Sequence, residues 1–65
     1  MRINIGKWIT SVNNAMIEYA KIKGYKYYYD LYFRLKIIID NKTYIINTYT
    51  LDNDNLITDL KEVTK

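Results

Sequence analysis

The stretch from Gly24 to Asp40 reads GYKYYYDLYFRLKIIID and holds five of the chain's eight tyrosines. Its odd positions are Tyr25, Tyr27, Tyr29, Leu31, Phe33, Leu35, Ile37 and Ile39, all apolar or aromatic. Its even positions are Lys26, Tyr28, Asp30, Tyr32, Arg34, Lys36, Ile38 and Asp40. A period of two over this length predicts a β-strand with the odd residues turned to a core. The even face then threads cations among rings.

On either side of this stretch the pattern changes. Upstream, Trp8, Val12, Met16, Tyr19 and Lys23 recur at helical spacing, which predicts an amphipathic helix over 7–23. Lys21 and Lys23 sit in its last turn, where cations favour the dipole, and Gly24 suits the C′ position. Asn4 or Thr10 is its expected cap, and Trp8 is expected in the core. Downstream, Asp40-Asn41-Lys42 reads as a turn and Thr43–Thr50, TYIINTYT, as the returning strand. An even-length loop sends Tyr44, Ile46, Thr48 and Thr50 to the core and Ile45, Asn47 and Tyr49 to the charged face. An odd-length loop reverses both sets, and the sequence leaves the register open. The remaining segment predicts a second helix capped by Asp52 or Asp54, with an apolar stripe of Leu56, Ile57, Leu60 and Val63.

The expected architecture is therefore a single α+β domain over residues 1–65, ordered α-β-β-α, in which two helices cover an antiparallel hairpin. The first strand outruns the second. Residues 25–30 are expected to lack a partner within the chain and to offer a homodimer contact, since open strand edges recruit strands.

Composition narrows the function. With no histidine and no cysteine, the chain has no disulfide framework, catalytic triad or thiol nucleophile, and a zinc site is not expected. No glycine-rich phosphate loop occurs. Asp52, Asp54 and Asp59 lack the glycine and glutamate spacing of a calcium loop and read better as helix capping. The expectation is a protein that is not an enzyme and binds no cofactor or metal. No apolar run approaches the ~20 residues of a bilayer span, so a soluble, cytoplasmic chain with no membrane association is expected. Residues 1–36 carry a balance of +5 and residues 37–65 one of −2, which suggests an anionic partner for the first half.

The candidate partner-binding residues are Lys26, Tyr28, Tyr32, Arg34, Lys36 and Tyr49. Tyrosine and arginine are common anchors of protein interfaces, which favours a protein or a protein–nucleic acid complex as partner. A second reading takes Lys21, Lys23, Lys26, Tyr28, Tyr32, Arg34 and Lys36 as a nucleic-acid surface, rings stacking on bases and cations following phosphates. A third is structural self-association through residues 25–30. Cross-strand packing alone also accounts for Tyr28 and Tyr32.

Ile, Lys, Asn, Tyr and Phe make up 35 of the 65 residues, and Gly, Ala, Arg and Pro only six, a bias that points to an AT-rich gene. In size, coding bias, lack of catalytic groups and αββα layout, the whole chain resembles the small phage-encoded inhibitors of host or defence proteins, such as anti-CRISPR proteins. The resemblance implies a non-enzymatic protein that occludes a site on a large partner in the host cell cytoplasm. Many such inhibitors imitate DNA with an acidic surface, whereas this chain is basic, so the implied target is an acidic protein surface or a protein–nucleic acid complex.

Overall fold

The computed structural model describes residues 1–7 and 10–63. It contains five strands and one helix: β1 (Arg2–Lys7), α1 (Val12–Lys23), β2 (Lys26–Tyr29), β3 (Leu35–Ile39), β4 (Lys42–Asp52) and β5 (Asn55–Glu62). The strands form one antiparallel sheet in the order β1-β5-β4-β3-β2. Helix α1 connects the two outermost strands and packs on one face. This overturns the α-β-β-α layout: the hairpin covered by two helices is a five-stranded sheet under a single helix.

The helix begins at Val12, later than its apolar spacing predicts, and Lys7, expected to open it, ends β1. Ser11, not Asn4 or Thr10, is the N-cap, its hydroxyl accepting the Asn14 N–H at 3.2 Å. The Asn4 side chain instead accepts the Gly6 N–H within β1. Trp8 lies outside the described residues. At the other end Gly24 adopts a left-handed conformation, φ 77°, and the Gly24 and Tyr25 N–H groups return to the Lys21 and Ala20 carbonyls. Glycine carries no Cβ penalty there, as its place after the last turn implies.

The second predicted helix is the end of β4, a turn, and β5. Asn53 and Asp54 both have positive φ, 49° and 66°, and Asp52 pairs with Asn55. Asp40 and Asn41 repeat the arrangement between β3 and β4, with Ile39 opposite Lys42. Asn and Asp tolerate this conformation because their short polar side chains bond locally. The same residue types favour helix N-caps, so the DNDN run satisfies both patterns. In β5 the buried set is Leu56, Thr58 and Leu60, a period of two.

The core lies between α1 and the sheet. Ile3, Leu35, Ile37, Ile39 and Leu60 meet Met16, with Tyr25, Tyr44 and Ile46 at the margin. Ala15 and Ala20 are buried on the helix and let it approach closely. The even-length turn sends Tyr44 and Ile46 to this face. A bulge between Ile46 and Thr48 then inverts the alternation, so Tyr49 sits opposite Thr58 on the helix side and Thr48 and Thr50 turn to the other face.

Candidate interaction site

The tyrosine-rich stretch is not one strand. β2 and β3 pair from Lys26–Ile38 to Tyr29–Leu35, and residues 30–34 form the loop between them. Residues 26–29 thus have a partner within the chain, which removes the reason for expecting residues 25–30 to pair with a second copy.

One carboxylate builds the loop. Asp30 Oδ1 accepts the Tyr32 N–H at 2.8 Å and the Arg34 N–H at 2.9 Å. Its Oδ2 accepts Arg34 Nε at 3.0 Å and lies 3.7 Å from Lys36 Nζ. The main chain closes the same turn: Phe33 N–H donates to the Asp30 carbonyl, and Asp30 N–H to the Arg34 carbonyl, each at 3.0 Å. Phe33 takes up the reversal with φ 60°, unusual for a bulky residue. The Arg34 N–H above all, with the Tyr32 N–H and the guanidinium, holds the Asp30 carboxyl below its usual range, against the desolvation that raises it.

The result is a fixed loop that presents its large side chains outward. Leu31, Tyr32 and Phe33 are 94%, 77% and 85% exposed. The Arg34 guanidinium lies 5.1 Å from the centre of the Tyr32 ring, a cation–π distance. Scattered exposed apolar residues are ordinary, but three in succession on a loop held by side-chain and main-chain bonds are not.

The predicted site residues separate. Tyr28 and Lys36 are cross-strand partners on the face away from α1, and Lys26 lies beside Ile38 there. Lys36 is buried and directed to Asp30. Tyr32 and Arg34 belong to the loop tip. Tyr49 lies on the helix-side face of β4, apart from Tyr28 and Lys36. The two lysines that only the nucleic-acid reading includes are engaged on the helix, Lys21 4.0 Å from Glu18 and Lys23 over the Tyr19 ring. Tyr28 is therefore the one ring that β2 offers to the helix-free face, between exposed Lys26 and a Lys36 directed to Asp30. Among the described residues no group of acidic side chains converges as a metal site. Asp54 lies in the turn, Asp52 closes it, and Asp59 faces Arg2 across the β1–β5 pair.

Leu31 and Phe33, placed in the core by their odd positions, are the residues that sequence reasoning missed. The available signal was Asp30. An aspartate inside a run of β-formers bonds its own main chain two residues on and breaks the strand.

Between the loop and β4 the sheet opens into a cleft lined by Asn13, Phe33, Arg34, Leu35, Ile45 and Ile46. Comparison with known proteins returns no matching family model, curated protein or solved structure.

Proposed function

We propose that this chain is a non-enzymatic binding module that engages a protein partner through the β2–β3 tip, with Leu31, Tyr32 and Phe33 as anchors and Arg34 at their edge. The observation that carries this reading is the near-complete exposure of those three side chains on a loop already ordered by Asp30. Burying an exposed leucine or phenylalanine gains roughly 1.5–3 kcal/mol, and a preformed loop loses little entropy when it docks. Apolar and aromatic anchors with an arginine are the usual energetic centre of a protein interface.

The size and composition of the chain support a place among small inhibitors of phage or mobile-element origin. In that reading the tip enters a cleft of the target and the sheet behind it blocks access. The nucleic-acid reading has less support, because Arg34 and Lys36 share one carboxylate and Tyr28 and Tyr32 lie on different parts of the fold.

The test replaces Tyr32 with a photo-crosslinking phenylalanine analogue and illuminates the protein in an extract of host cells. The expected result is a discrete protein adduct that disappears with Leu31→Ser/Phe33→Ser and persists with Tyr28→Ser. An adduct that ignores the tip variant, or retention of labelled single-stranded DNA or RNA at physiological salt that depends on Tyr28, sinks the tip assignment.

A further inference from the structure

Strand β4 runs from Lys42 to Asp52, yet β3 pairs with it only at Lys42, Thr43 and Tyr44. β5 covers its other side from Tyr44 to Asp52. Among the described residues no strand pairs with the β3 side of β4 beyond Tyr44. Both flanking turns are two-residue turns with positive φ, the form whose closing pair exchanges both main-chain hydrogen bonds. Counting back from Asp52, the main-chain groups of Thr50 and Thr48 therefore serve β5. Those of Tyr49 and Leu51 are directed to the open side.

Natural sheets blunt such edges with lysine, proline, bulges or a covering element. Among the described residues the bulge at Asn47 is the one such device here. The segment Asn47–Leu51, NTYTL, carries no charge and no proline, and its Thr48, Tyr49 and Thr50 are strong strand formers. An open row of main-chain donors and acceptors selects another extended strand.

We propose that this edge pairs antiparallel with the same edge of a second copy of the chain, about a twofold axis through Tyr49. A twofold contact must be self-complementary, and Thr48-Tyr49-Thr50 reads the same in both directions. Tyr49 then meets its own counterpart, with the two residues exchanging main-chain bonds, and each Thr48 meets the second copy's Thr50, a favourable cross-strand pair. The neutrality of NTYTL means that a chain of net charge +3 brings no like charges together on this axis. Self-association is also a common source of stability for a chain this small, which has no cysteine to form a disulfide. The surface is independent of the loop tip, and the proposal stands or falls apart from the partner assignment.

Sedimentation equilibrium from micromolar to millimolar concentration is the test. The mass is expected to rise from the 7.8 kDa of one chain towards twice that value. Tyr49→Lys sets two cations opposite one another and is expected to keep the mass at one chain with an unchanged circular dichroism spectrum. Because the chain lacks cysteine, Tyr49→Cys gives an independent reading should the lysine variant fail to fold. Oxidation is expected to link that variant into a dimer and to leave Tyr28→Cys monomeric. A single-chain mass for the unaltered protein at millimolar concentration overturns the proposal and leaves the edge to a strand of another protein. Cross-linking through position 28 but not position 49 overturns it equally.

Discussion

The Asp30 carboxylate holds Arg34 twice: it accepts the arginine's main-chain N–H at 2.9 Å and its side-chain Nε at 3.0 Å. One residue thus fixes both the path of the chain and the position of the guanidinium beside Tyr32. The loop tip is ordered by electrostatics at its base, and its apolar side chains contribute little to holding it.

Replacing Asp30 therefore separates loop order from fold. Asp30→Ala removes the acceptor for Tyr32 N–H, Arg34 N–H, Arg34 Nε and Lys36 Nζ together. The expected outcome is fast amide exchange across residues 31–34 with the exchange of β5 unchanged, read by NMR. Asp30→Asn keeps one carbonyl acceptor and is expected to fall between the two. Partner binding is expected to weaken in the same order.

Acidification acts on the same group. Its carboxyl titrates below the ordinary value of 3.8, chiefly because it accepts the Arg34 N–H. A lowered folded pKa means the unfolded chain binds the proton more readily, so the stabilisation is complete above the ordinary value and is lost as pH falls through the folded one. Loop amide shifts are expected to hold constant from neutrality to about pH 4 and to change below it. A loop transition centred well above pH 4 would contradict the arrangement.

The tip side chains themselves are expected to be neutral for folding. Leu31→Ser and Phe33→Ser alter exposed groups and should change stability by no more than about 0.5 kcal/mol in urea unfolding. A loss near the ~3 kcal/mol typical of truncating a core phenylalanine would mean that Phe33 is packed rather than presented. By contrast, Ile37→Ala, at a fully buried position on β3, is expected to cost about 2–5 kcal/mol.

Thr58 is fully buried beneath α1, and its hydroxyl meets the Met16 sulfur at 3.9 Å, a weak acceptor. Thr58→Val keeps the shape and removes a poorly paired hydroxyl. A gain of about 1 kcal/mol is expected in denaturant unfolding; a comparable loss would show that the hydroxyl has a better partner.

Asp54→Gly distinguishes turn from helix cap. Asp54 holds φ 66° between β4 and β5, where glycine is unstrained. A gain of roughly 0.5–1 kcal/mol is expected, whereas glycine in place of an N-cap aspartate would cost a few tenths of a kcal/mol.

The sequence was most readable where one physical demand acted alone. The helix end at Gly24 and the turn at Asp40-Asn41 follow from local rules and recur in the structure, whereas the parity of Tyr44 and Ile46 stayed open until the loop length was known. It misled where one pattern had two solutions. Asp52-Asn53-Asp54 suits a cap as well as a left-handed turn, and Leu56, Ile57 and Leu60 suit a helical stripe as well as a strand flanking Thr58. β1 was invisible because six residues at an edge carry too short a period, and the strand partner that stabilises them lies far along the chain. In the candidate site, Tyr32 and Arg34 were legible as exposed, but their neighbours Leu31 and Phe33 were not. Alternation was extended through Asp30 as though the strand continued. Tyr49 was misplaced by a one-residue bulge, which leaves no mark in composition.

The pairing of β1 with β5 also sets an order of events in folding. Lys26 to Glu62 form a meander of neighbours that close through short turns, whereas Arg2 must find Asp59. Closure of so long a loop carries an entropic cost before any contact forms, and contacts between distant residues slow folding. The four-stranded meander is thus expected to assemble first, with β1 docking last against a finished sheet and drawing α1 across it. Seen this way, the helix that links the two outermost strands is a strap fastened at the end, and the core it covers stays open to solvent until the final step.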